Sequence, residues 1–226
     1  IFMLGNGVGY IEMSEGFSFT SYAEFNAAYA KLKAEGMTSL VIDLRGNGGG
    51  ILEQSIKIAE KLPNDYFSES IHSFGFGQQP GSGFPGESAG MLAPPDRWNG
   101  LQKATMSYGY GLAVTPLQIA RAYSALGNGG RLVTPTFVKG QRSEAPQVLD
   151  PAIAREVVGM METVVTQGGA KRAGVLGYRV AGKTGTARIA SGGGYAKGRY
   201  ASFFAGVVPA SNPRFAAVVV INDSQE

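Results

Sequence analysis

Three strand candidates crowd the C-terminal end, over residues 178–188, 200–208 and 214–222, and they limit the fold more than any other feature. Each is short and bounded by turn residues, the pattern of a strand. A short Ser211-Asn212-Pro213 turn lies between the last two, so they form an antiparallel hairpin. That hairpin is apolar on both faces and needs cover and an edge partner.

The N-terminal end supplies partners of another kind. Gly9-Tyr10-Ile11-Glu12-Met13 reads as a strand, and Ser21-Tyr22-Ala23-Glu24 as a capping box that opens a helix with Phe25, Ala28, Tyr29 and Leu32 on one face, closed by Gly36. Leu40-Val41-Ile42-Asp43-Leu44 is a buried-strand run. A glycine-rich turn, Arg45 to Gly50, leads into a second amphipathic helix with Leu52, Ile56, Ala59 and Leu62 at helical spacing. This is a β-α-β-α unit ended by Pro63. Residues 64–73 make a short helix and residues 74–100 a long, structured loop. Thr115-Pro116-Leu117-Gln118 and Asp150-Pro151 each start a helix. The fold class is therefore α/β, with strands 9–15 and 38–45 expected to join the three late strands in one mixed β-sheet flanked by helices, in one continuous domain.

Composition removes several functions. Twenty Lys and Arg against seventeen Asp and Glu give +3, scattered without a basic run, so nucleic acid is not an expected partner. There is no cysteine, hence no disulfide, thiol nucleophile or thiolate-held zinc, and the single histidine, His72, excludes a multi-histidine metal site. His72 lies between Ile71 and Phe74 and is assigned a helix-packing or surface role. No cofactor is expected. The glycines after Leu44 are not a Walker loop, because no Gly-Lys-Ser/Thr follows, and Ile51 breaks the Rossmann spacing. No apolar run spans a bilayer, so the chain as it stands is expected to be soluble. Both ends read as cut, which leaves room for an anchor in a longer parent.

The most specific motif is Gly182-Lys183-Thr184-Gly185-Thr186-Ala187. On an edge strand Lys183 supplies positive potential, Thr184 and Thr186 supply hydroxyls for a carboxylate, and Gly185 lets a peptide backbone lie close. Alone, the triplet reads better as a strand with one solvated lysine. It stands in company. The run Tyr108 to Tyr123, the Lys-Thr-Gly strand, Phe203-Phe204-Ala205-Gly206-Val207-Val208-Pro209-Ala210, Phe74-Gly75-Phe76-Gly77 and Gly83 to Glu87 together resemble the transpeptidase domain of class B penicillin-binding proteins, of the division-specific type that crosslinks septal peptidoglycan, over residues 55–226. The resemblance implies a substrate-binding set of Lys183, Thr184, Gly185 and Thr186 that grips a peptide or β-lactam carboxylate. It also implies a cell-envelope parent, periplasmic or membrane-anchored.

That family acylates the serine of a Ser-x-x-Lys motif, aided by Ser-x-Asn. Neither motif occurs in the 226 residues, and Gly49 to Gln54 stand where Ser-x-Asn is expected. The segment upstream has a second likeness. Gly9 to Met13, the helix from Tyr22 to Ala34, Gly36-Met37 and Leu40 to Gly50 resemble the core of carboxyl-terminal processing proteases, which makes the backbone N–H groups of Gly48 and Gly49 oxyanion candidates. An ordinary strand-to-helix turn explains the same glycines. The chain thus reads as a β-α-β-α segment, residues 1–62, fused to a transpeptidase-like segment, residues 55–226, through a shared helix at 51–62. The expected function is a chimeric, catalytically inactive domain derived from a peptidoglycan D,D-transpeptidase. The alternatives are a processing-protease-like serine hydrolase and a non-catalytic α/β scaffold. No catalytic residue is assigned: Ser55 and Ser107 lack motif support.

Overall fold

The computed structural model describes all residues except Arg45, Gly46, Gly48, Gly49, Leu62, Tyr108, Arg142, Ser143, Gly192, Gly193, Gln225 and Glu226, and describes Leu101, Ala190, Ser191 and Tyr195 by backbone only. The chain divides into two compact units, Ile1–Phe67 with Pro95–Gly111, and Ser68–Pro94 with Leu112–Glu226.

The first unit is built on β1 (Phe2–Met3), β2 (Val8–Glu12) and β3 (Ser39–Asp43), in the order β1-β2-β3, with β1 antiparallel and β3 parallel to β2. A parallel pair needs a crossover, and α1 (Ser21–Ala34) is that crossover. Phe25, Ala28 and Leu32 recur on one helix face and are buried with Ile11, Met37 and Ile58. Burial of a side chain such as Leu32 contributes about 1.5–3 kcal/mol. Gly36, at φ +89°, ends the helix in a Schellman turn, with Met37 N–H bonded to Leu32 O at 2.9 Å and Gly36 N–H to Lys33 O at 3.1 Å. The start differs from expectation. Ser21 is the first helical residue rather than the cap: the N-cap falls one residue earlier, at Thr20, which makes no side-chain cap bond, while the Ser21 hydroxyl reaches back to accept the backbone N–H of Ser18 at 2.8 Å.

Helices α2 (Leu52–Ala59), α3 (Asn64–Ser73, which continues into the second unit) and α4 (Gly100–Ser107) follow. Helix α4 follows the long loop directly and lacks the usual Ser or Thr start signal. Its start signal is Asn99-Gly100-Leu101-Gln102: Asn99 Oδ1 accepts Gln102 N–H at 2.9 Å and Gln102 Oε1 accepts Asn99 N–H at 3.0 Å, a capping box built from two amides. Lys103 and Met106 on this helix are buried, and Lys103 Nζ donates to Glu60 O at 2.9 Å, fixing α4 against the end of α2.

The second unit holds β4 (Met91–Leu92) and β5 (Leu112–Ala113), paired antiparallel, then α5 (Pro116–Gly127), α6 (Pro151–Thr166) and the antiparallel sheet β6 (Ala181–Ser191), β7 (Gly194–Val208), β8 (Phe215–Ser224). Tyr123 and Leu126 of α5 and Val158 and Met161 of α6 pack on Ala181, Val207 and Ala216 of that sheet. Helix α5 begins with the expected Thr115–Gln118 capping box. Gln118 does more than cap: fully buried, its Nε2 also donates to Gln78 O at 2.8 Å and Ala89 O at 2.9 Å, pinning the long glycine- and proline-rich loop. Glu87 orders the same loop by accepting the N–H groups of Gly81 and Ser82 and the Ser82 hydroxyl, which hold its carboxyl below the ordinary range.

The expectation of one mixed sheet is corrected. Among the described residues the early strands pair only with each other and the late strands only with each other, in separate three-stranded sheets. The late hairpin is paired on the β6 side alone, and among the described residues no strand takes the outer edge of β8.

Candidate functional site

β6 is an edge strand, with β7 on one side and no strand on the other among the described residues. Its register sets Lys183 opposite Ala205, Thr184 opposite Phe204, Gly185 opposite Phe203 and Thr186 opposite Ser202. Side chains alternate along a strand, so Thr184 and Thr186 share one face and Lys183 and Gly185 the other. Lys183, Thr184 and Thr186 are all exposed. Lys183 curls along the strand and donates its Nζ to Thr184 O at 2.9 Å.

Two aromatic rings shape this strand from β7. A Cβ built on Gly185 would stand 2.2 Å from Phe203, and one built on Gly182 would stand 2.3 Å from Phe204, so each glycine is the flat floor beneath a ring. Phe204 also packs with Val165, Ala170 and Val180. On the Thr184 face an open recess of about 600 Å³ is lined by Gly168 to Ala173, Thr184 and Phe204. Lys171 and Arg172 are its two ionisable lining residues. Thr184 lines this recess, whereas Lys183, on the opposite face, does not. Above β6 the guanidinium of Arg179 grips Glu162 of α6 through two bonds of 2.6 Å, holding the Glu162 carboxyl below its ordinary range.

The other candidates fall elsewhere. Gly48 and Gly49 lie outside the described residues. Next to them, Gly50 at φ +137° meets the backbone of Phe17, where a Cβ would come within 2.4 Å of Phe17 O. Ser55 donates to Leu52 O at 2.8 Å and Ser107 to Ala104 O at 2.7 Å, each within its own helix. Lys57, two residues from Ser55, is turned to Glu53 at 2.9 Å. His72 packs back on its own helix, with Nδ1 2.9 Å from Ser68 O. Sequence reasoning missed the two phenylalanines as shapers of the site, because which glycine each ring covers is set by the β6–β7 register.

A strand bearing Lys-Thr-Gly-Thr at the open edge of an antiparallel sheet backed by two helices defines a class, and comparison with known proteins agrees. The penicillin binding protein transpeptidase domain matches residues 54–226, and the chain belongs to that family. Among relatives, the probable peptidoglycan D,D-transpeptidase PbpC of Pseudomonas aeruginosa is 42% identical over 168 residues, 74% of this chain and 30% of that protein. The peptidoglycan D,D-transpeptidase FtsI of Escherichia coli K12 is 40% identical over 184 residues, 78% of this chain and 31% of that protein. The chain therefore spans about a third of the length of these relatives. The transpeptidase domain of penicillin-binding protein 3 from Burkholderia pseudomallei superposes with a TM-score of 0.69 at 39% identity, covering 77% of this chain and 54% of that one. Penicillin-binding protein 3 from Mycobacterium tuberculosis, solved in complex with ampicillin, superposes at 0.66 with 36% identity, over 77% of this chain and 42% of that one. Peptidase family S41 matches residues 7–73, so the two matches overlap from 54 to 73. Among the described residues no helix is long and apolar enough to cross a membrane.

Proposed function

We propose that this chain is a chimera whose transpeptidase-derived part keeps a carboxylate-binding strand and has lost the means to acylate. The observation that carries this reading is the pairing of a Lys-Thr-Gly-Thr strand at an open sheet edge with the absence of any Ser-x-x-Lys or Ser-x-Asn in the sequence. Thr184 and Thr186 present hydroxyls on one face. Lys183 adds positive potential at the same edge, and a peptide or β-lactam carboxylate is the ligand this chemistry suits. Acyl transfer needs more: a serine with a base beside it and donors for the developing oxyanion. The two serines nearest to family motifs spend their protons on helix carbonyls. Binding is accordingly weak, reversible and non-covalent.

The match of residues 7–73 to peptidase family S41 supports a second reading, a serine hydrolase using the turn at Gly48 and Gly49 as its oxyanion site. It requires a serine and lysine brought together elsewhere in the chain. One experiment separates the readings. Incubation with a fluorescent penicillin followed by denaturing electrophoresis gives no labelled band under the first, while ampicillin shifts the backbone amide signals of Lys183 to Thr186 reversibly. Stoichiometric labelling abolished by one Ser→Ala change would overturn the inactive reading. Cleavage of an unstructured peptide, abolished in the same way, would favour the hydrolase.

A further inference from the structure

Four asparagines stand directly before a glycine: Asn6, Asn47, Asn99 and Asn128. In such a pair no side chain shields the following backbone nitrogen, so that nitrogen can reach the asparagine amide carbon. Folding ties down three of the four side chains. Asn99 Oδ1 accepts Gln102 N–H at 2.9 Å, Asn47 Nδ2 donates to Met13 O at 2.5 Å, and Asn128 Nδ2 donates to Arg131 O at 3.3 Å. Asn6 differs. It is exposed, and among the described residues its side chain makes no hydrogen bond.

Asn6 and Gly7 make the turn between β1 and β2. Asn6 at φ +62°, ψ +31° and Gly7 at φ +73° match the central residues of a type I′ turn, closed by Val8 N–H on Gly5 O. At that ψ the Gly7 nitrogen points away from the Asn6 side chain. A flip of the single peptide plane between them gives a type II′ turn, the other favoured hairpin turn, with Asn6 still at positive φ and its ψ at about −120°. The Gly7 nitrogen then lies beside the Asn6 amide carbon. The hairpin stays closed through this flip, because Gly7 O, which accepts Thr38 N–H at 2.8 Å, is not part of the moving plane. Asn128 has no such route, since the same ψ at its φ of −110° falls outside the allowed regions.

We propose that Asn6 is a site of spontaneous modification, converted through a cyclic imide to aspartate and isoaspartate with water as the co-reactant. Gly7 N bonds to Asn6 Cγ as the Cγ–Nδ2 bond breaks, and ammonia carries off the amide nitrogen with the proton lost from Gly7 N. Water then opens the imide. Attack at Cγ leaves aspartate, and attack at the main-chain carbonyl leaves isoaspartate, whose chain path runs through Cβ. The isoaspartate form lengthens the turn by one carbon and sets a carboxylate in it, so Val8 N–H loses Gly5 O and β1 loosens from β2.

The test incubates the full chain in mildly alkaline buffer, folded and in guanidinium chloride, and follows each asparagine by peptide mapping with mass spectrometry. The Asn6 rate is expected to change little on folding. Those at Asn47, Asn99 and Asn128 are expected to fall at least about tenfold, since a reaction that waits on local opening slows by the opening equilibrium. Methyl transfer from S-adenosylmethionine by an isoaspartyl methyltransferase is expected to grow as the folded chain is incubated, and to vanish in Asn6→Gly, which suits the same φ. Protection of Asn6 on folding as strong as that of Asn99 and Asn128 overturns the inference. So does reaction of either of those two in the folded chain as fast as Asn6, or methyl labelling undiminished in Asn6→Gly.

Discussion

The ring of Phe203 lies across Gly185, so close that a Cβ on the glycine would stand 2.2 Å from ring Cε1 and 2.4 Å from Cζ. The glycine of the Lys-Thr-Gly triplet thus has a packing duty that is independent of any ligand. A side chain there forces the Phe203 ring to move aside. Gly185→Ala is expected to lower the unfolding free energy by about 1–3 kcal/mol, the usual range for overpacking. In a Phe203→Ala background the same change should cost little, because the clash has gone. Denaturant unfolding of the four chains in a double-mutant cycle measures the coupling.

Gln118 is fully buried and uses both ends of its amide. Its oxygen accepts from Thr115, and its nitrogen donates to Gln78 and Ala89. Gln118→Ala leaves buried backbone groups without partners, at about 1–3 kcal/mol for each group left unsatisfied. The expected result is a lower Tm and new proteolytic cleavage between residues 78 and 90. Cleavage there unchanged from wild type would show that the loop is held by other contacts.

Two glycines in the left-handed region separate conformational strain from collision. Gly36, at φ +89°, has open space where a side chain would go, whereas a Cβ on Gly130, at φ +81°, would stand 1.9 Å from Leu149 O. Gly36→Ala is expected to cost about 1 kcal/mol, the strain alone. Gly130→Ala must also move backbone, and should cost clearly more. Equal losses in thermal unfolding would mean that the Gly130 turn adapts.

Glu162 is held below its ordinary carboxyl range chiefly by the hydrogen bonds from Arg179, which tie α6 to the start of β6. A depressed folded value means the unfolded chain binds the proton more readily. The stability it contributes is therefore full above the unfolded carboxylate value, near pH 4.3, and is lost as pH falls through the lower folded value. Arg179→Gln should flatten the acid limb of a stability-against-pH curve while leaving its shape near neutrality. An unaltered acid limb would assign that slope to other carboxylates.

Much of the fold was legible in sequence because its signals are local. Thr115 and Gln118 announce α5, Asp150-Pro151 announces α6, and Gly36 closes α1, each through bonds spanning a turn or less. Helix α4 was missed because its cap uses Asn99 and Gln102 rather than the commoner Ser or Thr with Glu. Its anchoring, moreover, comes from Lys103 on a distant carbonyl. The single sheet failed for a different reason: the need of an apolar hairpin for cover is visible in sequence, but which elements supply it is not. At the site, alternation along β6 was readable from Lys183 to Thr186, while the rings that shape it come from β7 and depend on register.

Residues 95–111 belong to the first compact unit, while the stretch from Ser68 to Pro94 belongs to the second. The polypeptide therefore leaves its first unit, contributes a loop and a short strand to the second, and returns before leaving for good. No single cut yields two intact pieces. A break placed where the two family likenesses meet, inside 54–73, strands α4 and its Lys103 anchor on the wrong fragment. A fragment that ends inside 54–73 therefore lacks part of the first unit, and one that begins there carries that part away with the second.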